Sequence, residues 1–414
     1  MLRISTQTIF NVGTQQITSQ SAALARTQQQ LSSGKKNLTA ADDPIASARA
    51  LEVTQSSSIN TQLVTNRSNA RGLLSLETVA LDSSVSILQD IKTITVNAGN
   101  GSLTDADRAS LATELEGRLS DLLGQANTSD GVGGYVFSGY KSTTLPFTQT
   151  ATGAAYQGDQ GQRSLQVGST RTLPITDSGA AVFENNATGN GSFVTLADPA
   201  NYGRGGSGII SAGSVQDPTK LTGHQYQISF QVVPATPGTP AATTYNVTDT
   251  TTGQPVFATP QPYASGQNIS FDGMQFNIQG APADQDTFTV QPSTKQSVFT
   301  TVQNLINALR APGSGAAGQA ALNNVLNQTQ VNIDNASDNI LSVQSAVGAR
   351  LKELDYLDTS GDSLNLQYQT TLSSLQDLDY VSAISKFTQQ QTTLTAAQQS
   401  FKTMSGLSLF NYIS

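Results

Sequence analysis

The chain has 414 residues, a net charge of −8 and no cysteine, and its sequence pI is about 4.6. Charged residues make up 12% of it, against about 25% in a typical soluble protein. The charge balance excludes nucleic-acid binding through clustered Lys and Arg, and the lack of cysteine excludes disulfides and thiolate metal sites. The length predicts two to four domains.

The sequence contains no apolar run long enough for a transmembrane helix, which needs about 18 residues or more. The first residues also lack the apolar stretch of a cleaved signal peptide. We therefore expect no membrane insertion, and export, if it occurs, by a route that does not use that signal.

Apolar residues near the start of the chain recur every seven positions, at Phe10, Ile17, Leu24 and Leu31. This spacing is typical of a coiled-coil seam, because seven residues are close to two helical turns. It predicts a helix over residues 5–33. Gly34, followed by Lys35 and Lys36, is a typical helix end.

The same spacing recurs near the end of the chain, at Tyr380, Phe387, Leu394 and Phe401. The two ends are therefore predicted to pair with each other or with copies of themselves. Simple internal packing of two helices would give the same periodicity, so periodicity leaves both interpretations open.

Charge is scarce around both seams. Arg26 is the only charged residue between positions 5 and 33, and Lys386 and Lys402 are the only ones between 383 and 414. A helix exposed to water normally carries a charged outer face. The missing charge favours helices that are covered on several sides within an assembly.

Two further helices are predicted before the middle of the chain. Asp43 caps the first, Pro44 occupies its first turn, and it ends at residues 97–101. Its seven-residue repeat is Ile59, Asn66, Leu73, Ala80, Ile87 and Ile94, widened by Leu74, Leu81 and Leu88. A capping box at Thr104–Asp107 starts the next helix, whose apolar face is Leu111, Leu115, Leu119 and Leu122.

The middle of the chain is rich in Gly, Pro and short alternating runs. Strands are predicted at residues 135–138, 225–232, 268–271, 274–278 and 287–290. Asp272-Gly273 is a hairpin turn signal between the third and fourth of these strands. We interpret the region as an all-β insertion of about 160 residues.

Helices return at about residue 296. Val298, Val302, Leu305 and Leu309 form one face, and Ile333, Ile340, Val347 and Leu354 form a longer repeat. Residues 360–362, Ser-Gly-Asp, predict a turn or a kink before the final seam.

The predicted fold is α+β: an elongated rod of long coiled-coil-like helices from both chain ends, with an all-β domain inserted in the middle. The predicted domains are a terminal helical assembly domain (1–44 and 377–414), a helical rod domain (45–134 and 296–376) and the inserted β domain (135–295).

Residue patterns for catalysis or metal binding are weak. His224 is the only histidine, which we interpret as a surface or strand-edge residue, and two-histidine metal sites are excluded. Gly203, Gly205 and Gly208 match G-x-G-x-x-G, but no helix start follows, so a flexible loop is predicted. Asp284 and Asp286 lack the rest of a Ca²⁺ loop and are interpreted as a turn. We predict no enzyme activity, no cofactor and no metal.

Several short stretches resemble the bacterial flagellins and their relatives. Leu31-Ser-Ser-Gly-Lys-Lys and Ala40-Ala-Asp-Asp-Pro44 resemble their N-terminal signature, and Val347-Gly-Ala-Arg-Leu351 and Asp377-Leu-Asp-Tyr380 resemble their C-terminal one. Three stretches are more similar to the hook–filament junction family, that of hook-associated protein 3, than to flagellin. They are Met1-Leu-Arg-Ile-Ser-Thr, Gly134-Tyr-Val-Phe-Ser-Gly139 and Ser405-Gly-Leu-Ser-Leu-Phe-Asn-Tyr-Ile.

The resemblance implies a structural adaptor at the flagellar hook–filament junction, outside the cell, exported by the flagellar type III system. The implied partners are flagellin, the other junction protein (hook-associated protein 1), copies of the chain in a ring, and an export chaperone at the C-terminal segment. The eight seam residues, Phe10, Ile17, Leu24, Leu31, Tyr380, Phe387, Leu394 and Phe401, would form the assembly interface.

Two alternatives remain at this point. The nearest is flagellin itself, the filament subunit. The other is a secreted carbohydrate-binding or hydrolytic protein with helical ends, which would be indicated by sugar binding to residues 135–295.

Overall fold

The structure, a computed structural model, describes residues 6–236, 241–311 and 313–406. Residue 5, where the first helix is predicted to begin, lies outside the described residues. Of the two terminal stretches that resemble the junction family, only Thr6 of the first and Ser405 and Gly406 of the last are described. The described helices are α1 (Thr6–Ser33), α2 (Pro44–Ala98), α3 (Asp105–Ala126), α4 (Ala200–Arg204), α5 (Val298–Arg310), α6 (Gly315–Gln376) and α7 (Tyr380–Gly406).

The strands of the described residues all lie between α3 and α5. They are β1 (Phe147–Thr150), β2 (Gly153–Tyr156), β3 (Ser164–Gln166), β4 (Thr172–Pro174), β5 (Asn186–Ala187), β6 (Phe193–Ala197), β7 (Ile209–Ile210), β8 (Ser214–Val215), β9 (Tyr226–Val233), β10 (Ala242–Asp249), β11 (Gln254–Pro255), β12 (Gln261–Pro262), β13 (Asn268–Phe271), β14 (Met274–Gln279), β15 (Thr287–Pro292) and β16 (Lys295–Gln296). The predicted fold class, long terminal helices around a β-rich middle, is confirmed. The middle also contains α4, a π-helical turn at Ala180–Glu184 and a 3₁₀ turn at Pro218–Lys220.

The chain forms two compact units. One comprises Met1–Thr65 with Tyr356–Ser414, and the other is Asn66–Asp355. The boundaries fall inside α2 and α6, so each of these two helices has one part in the first unit and one part in the second.

Strand pairing in the second unit is antiparallel in each described ladder. The larger sheet has the order β11-β10-β9-β15-β6, and a smaller one has β13-β14-β7. Apolar residues from both sheets form one buried core, including Tyr226, Ile228, Phe276 and Phe288. The predicted hairpin is confirmed: Asp272 and Gly273 join β13 to β14 with φ of 44° and 77°, as a type I′ turn requires.

The second unit's parts of α2 and α6 are antiparallel neighbours. Arg71 pairs with Asp355 at 2.6 Å and Lys92 with Asp334 at 2.5 Å, so residues later in α2 meet residues earlier in α6. The repeat from Ile333 to Leu354 is buried as predicted. In α2 the buried residues include Leu74, Leu81 and Leu88 together with Ala80 and Ile94 of the predicted repeat, whereas Ile59 of the first unit is exposed. Each buried apolar side chain contributes roughly 1.5–3 kcal/mol.

Two local predictions were wrong. Residues 135–138 are not a strand: only Tyr135 makes an isolated bridge, to Ser129. Val136, Phe137 and Ser138 are all buried without belonging to a sheet, and Phe137 packs against Phe183 with ring centroids 5.4 Å apart. Residues 360–362, predicted as a turn or a kink, form no turn, since α6 continues through Gly361. That glycine is buried, and its carbonyl accepts a hydrogen bond from Asn60 Nδ2 at 2.9 Å.

Other helix signals were confirmed. Thr104 and Asp107 form a capping box at α3, and Asp43 Oδ1 accepts a hydrogen bond from the Ala46 N–H at the start of α2. α5 buries Val298, Val302, Leu305 and Leu309. These signals were readable because each depends on residues within one or two helical turns.

A row of asparagines on α6 holds the β-rich region. Asn335 Nδ2 donates to the Ala187 and Gly189 carbonyls at 2.8 and 2.7 Å. The other members also bond to backbone groups. Asn324 donates to the Gly208 carbonyl and accepts from the Ile210 N–H, Asn332 accepts from the Gly189 N–H, and Asn339 donates to the Ala181 and Val182 carbonyls. We call Asn324, Asn332, Asn335 and Asn339 the amide row.

Candidate assembly surface

Helices α1 and α7 pack against each other in the first unit, as the two seams predict. Phe10 contacts Phe401 with ring centroids 5.0 Å apart, and the Tyr380 hydroxyl lies beside Gly34. The beginning of α1 therefore meets the end of α7, so the two helices are antiparallel.

The eight predicted seam residues lie along this helix pair, and the structure leaves all of them at least partly exposed. Phe10 and Tyr380 are 51% exposed, and Ile17, Leu24, Leu31, Phe387, Leu394 and Phe401 are half-buried. Among the described side chains of α1 and α7, only Thr27 and Ala383 are buried. Two helices alone thus do not cover the seam.

A second set of seam positions was missed because its members are not large and apolar. Three residues after the four predicted positions near the start of the chain come Gly13, Gln20, Thr27 and, just beyond α1, Gly34. Three residues after the first three predicted positions on α7 come Ala383, Gln390 and Ala397. All of these are half-buried or buried. A search for a second seven-residue repeat of small and amide residues would have found them.

This second set fixes how the helices fit together. A Cβ on Gly13 would lie 2.6 Å from Phe401 Cδ2, so the ring occupies the space that a side chain would need. Thr27 Oγ1 lies 2.8 Å from Gln390 Oε1, a buried polar contact in the middle of the pair. Polar groups buried in a coiled-coil seam favour one register over others.

One end of the pair is also joined through the backbone. The Leu378 N–H donates to the Gly34 carbonyl at 2.9 Å, and the Lys36 N–H donates to the Gln376 carbonyl at 2.9 Å. These bonds connect the end of α1 to the turn between α6 and α7.

Apolar side chains also face outward from the pair. Ile9 and Val12 on α1 and Val381, Ile384 and Met404 on α7 are between 41% and 82% exposed. Few charges separate them, since Arg26, Lys386 and Lys402 are the charged residues of the two described helices. A surface of this kind is typical of protein that is covered by other protein.

The weak candidates for chemistry have structural partners. His224 Nδ1 lies 2.7 Å from Asp249 Oδ2 at one end of β9. Asp286 is buried, and its Oδ2 accepts a hydrogen bond from the Ala283 N–H, while Asp284 Oδ1 accepts one from the Val232 N–H. Gly203 lies in the short helix α4 rather than in the predicted loop.

A cavity of about 580 Å³ lies between β6 and α6 in the second unit. Threonine and amide side chains, among them Thr195, Asn324 and Asn332, form much of its wall, and Arg108 and Asp198 are its charged residues among those described. Within the described residues, no group of three His, Cys, Asp or Glu side chains is arranged to hold a metal ion. No helix in the described part of the chain is both long and apolar enough to span a membrane.

Comparison with known proteins decides the family. Residues 4–142 match the model of the bacterial flagellin N-terminal helical region, and residues 200–292 match the D2-like domain of flagellar hook-associated protein 1. A solved structure of flagellar hook-associated protein 3 from Legionella pneumophila is 32% identical, with a TM-score of 0.71. The match covers 78% of this chain and 98% of that one. The chain belongs to the flagellar hook-associated protein 3 family.

Other members of the hook-associated protein 3 family agree over similar or greater lengths. Flagellar hook-associated protein 3 of Salmonella typhimurium is 28% identical over 417 residues, 99% of both chains. The flagellar junction protein FlgL of Legionella pneumophila is 31% identical, with a TM-score of 0.69, over 80% of this chain and 100% of that one. The sequence-based resemblance is therefore confirmed, and the flagellin alternative is not favoured.

Proposed function

We propose that this chain is a non-catalytic structural adaptor that joins the hook side of the bacterial flagellum to the flagellin filament. The observation that carries the proposal is the α1–α7 pair, in which the first and the last described helices pack together yet leave their apolar seam half exposed. Membership of a family named for the hook and the junction supports the location.

The mechanism is packing of equivalent helices. Copies of the chain would form a ring in which neighbours cover the exposed part of the seam, with hook-associated protein 1 on one side and flagellin on the other. Each apolar side chain covered in this way adds roughly 1.5–3 kcal/mol. The β-rich region takes no part in this packing in our proposal.

The route to the flagellum is part of the same proposal. The chain would be exported by the flagellar type III system without a cleaved signal. An export chaperone would hold the C-terminal segment, where Phe387, Leu394 and Phe401 offer an apolar stripe before assembly.

Deletion of the gene for this chain tests the role. We expect cells that build hooks, bear no filaments and release flagellin into the medium, and that recover filaments when the gene is restored. Filaments that persist after deletion would overturn the proposal. A filament formed by the purified chain alone, under conditions that polymerise flagellins, would indicate the filament-subunit alternative.

A further inference from the structure

A buried cluster of charged groups joins three segments of the second unit. Glu77 lies on α2, Arg350 on α6, and Asp177 in the loop that follows β4. Glu77 is fully buried, Asp177 is 4% exposed, and the Arg350 side chain is 16% exposed. Neither the amide row nor the α1–α7 pair includes these residues.

Asp177 makes the best-defined contacts of the cluster. Arg350 donates to both of its carboxylate oxygens, at 2.8 and 3.0 Å, and Gln162 Nε2 donates to Oδ1 at 2.5 Å. A bidentate pair of this kind is strong and directional. The guanidinium charge is therefore matched by Asp177.

Glu77 is left without a cation of its own. Its Oε1 accepts a hydrogen bond from the Asp177 N–H at 3.1 Å, whereas Oε2 is buried without a partner among the described residues. A buried carboxylate without a matching charge is costly, and binding a proton removes that cost. Burial, followed by repulsion from Asp177, raises the pKa of Glu77 to about 8.

The other charged groups on the three segments are not cations available to Glu77. Glu184, at the end of the π-helical turn, is a further carboxyl group whose pKa is raised by burial. Between Arg71 and Asp82, Glu77 is the only charged residue of α2. On α6, Glu353 is paired with Arg171 at 2.5 Å, and Lys352 is exposed. Two carboxyl groups thus share one guanidinium.

We propose that the Glu77–Asp177–Arg350 cluster is a proton-dependent latch that holds residues 175–185 across the α2–α6 pair. With a proton on Glu77, the cluster is neutral and closed. Loss of that proton leaves one net negative charge in a buried site. Opening of the latch exposes Glu77 to water, which removes the free-energy cost of keeping that charge buried. The segment that is released contains Ala181 and Val182, which Asn339 holds from α6.

The sign of the pH effect follows from the two states. The pKa of Glu77 is about 8 when the latch is closed and near the ordinary glutamate value of 4.5 when it is open. Between these values the closed state holds one proton more, so opening becomes more favourable as pH rises. The change is about tenfold in the opening equilibrium per pH unit and stops above about pH 8.

Hydrogen exchange of the full chain measures the opening. The opening equilibrium of the amides in residues 175–185, corrected for the intrinsic pH dependence of exchange, should rise about a hundredfold from pH 5.5 to 7.5. Glu77→Gln keeps a neutral side chain of the same shape and should abolish this rise. The matched change Glu114→Gln, on the exposed face of α3, should preserve it. An unchanged opening in the wild-type chain, or the same rise in Glu77→Gln, would overturn the proposal.

A second measurement needs no variant. The chain contains six glutamates, so ¹³C labelling of glutamate carboxyl groups gives six signals that can be followed by NMR. Burial raises the pKa of both Glu77 and Glu184, and the signal assigned to Glu77 should titrate far above the ordinary glutamate range. Titration of all six near their ordinary values would show that Glu77 is ionised at neutral pH and would exclude the latch.

Discussion

Gly34 shows how much a single residue decides in the α1–α7 pair. Its φ of 69° lies in the left-handed region, and a Cβ there would approach the Tyr380 hydroxyl to 3.0 Å. Glycine adopts this conformation without penalty, whereas other residues pay roughly 1–2 kcal/mol. The same residue accepts the backbone bond from Leu378.

Gly34→Ala should therefore destabilise the pair by about 1–2 kcal/mol, because it adds backbone strain and displaces the Tyr380 hydroxyl. Amide exchange of the α1 and α7 peptides would measure this, since two compact units need not unfold together. Gly72→Ala is the control: Gly72 lies in α2, has a helical φ and has open space around it. That change should stabilise its helix by about 0.5–1 kcal/mol. Equal effects of the two changes would contradict the role given to Gly34.

At the scale of elements, α6 combines two kinds of packing along one helix. Its apolar repeat is buried in the second unit, while the amide row reaches backbone groups of the β-rich region. Apolar contacts tolerate small shifts, but a side-chain amide needs donors and acceptors at set positions. The amide row therefore specifies where the β-rich region sits on α6.

Asn335→Ala should weaken this attachment by about 1–3 kcal/mol, because the carbonyls of half-buried Ala187 and buried Gly189 lose a donor. Faster amide exchange in residues 186–189 would be the direct readout. Asn327→Ala is a matched control on the same helix, at a position whose amide has no protein partner among the described residues. Unaltered exchange in Asn335→Ala would mean that the β-rich region is held by other contacts.

At the scale of the whole molecule, one part of the chain has a buried core of its own and another part does not. The second unit has its own buried core, whereas α1 and α7 have one buried residue each among the side chains described. We expect changes in the seam to act on assembly first and on the fold of the second unit least.

Leu394→Asp and Phe401→Asp should each abolish assembly while the second unit stays folded, because each places a charge in the apolar seam. Electron microscopy of cells that make either variant would show hooks without filaments, and limited proteolysis would show an intact second unit. Leu394→Met keeps an apolar side chain of similar volume and should assemble normally. Normal filaments with the Asp variants would exclude these residues from the interface.

Sequence patterns predicted elements best where the determinants are local. The capping box at Thr104 and the turn at Asp272-Gly273 each depend on a few neighbouring residues. The strand assigned to residues 135–138 failed because burial of Phe137 depends on Phe183, far along the chain. The prediction at Gly361 failed because a buried glycine inside a continuous helix has the same letter as one that ends a helix. The seam residues were predictable from spacing, but Thr27 and Gln390 were not, since their role depends on which helix faces them.

The scarcity of charge along α1 and α7 has a consequence for the medium around the flagellum. Dissolved ions screen the attraction between exposed charges that lie farther apart than the Debye length, which is about 8–10 Å at an ionic strength of about 0.1–0.15 M. Arg26, Lys386 and Lys402 are the charges of these helices, and Arg26 is paired with Asp42 of the connector to α2 at 2.5 Å. Contacts made through such helices obtain little of their binding free energy from ion pairs. Screening by salt therefore weakens them little. A joint built on them would hold equally well in dilute fresh water and in brine.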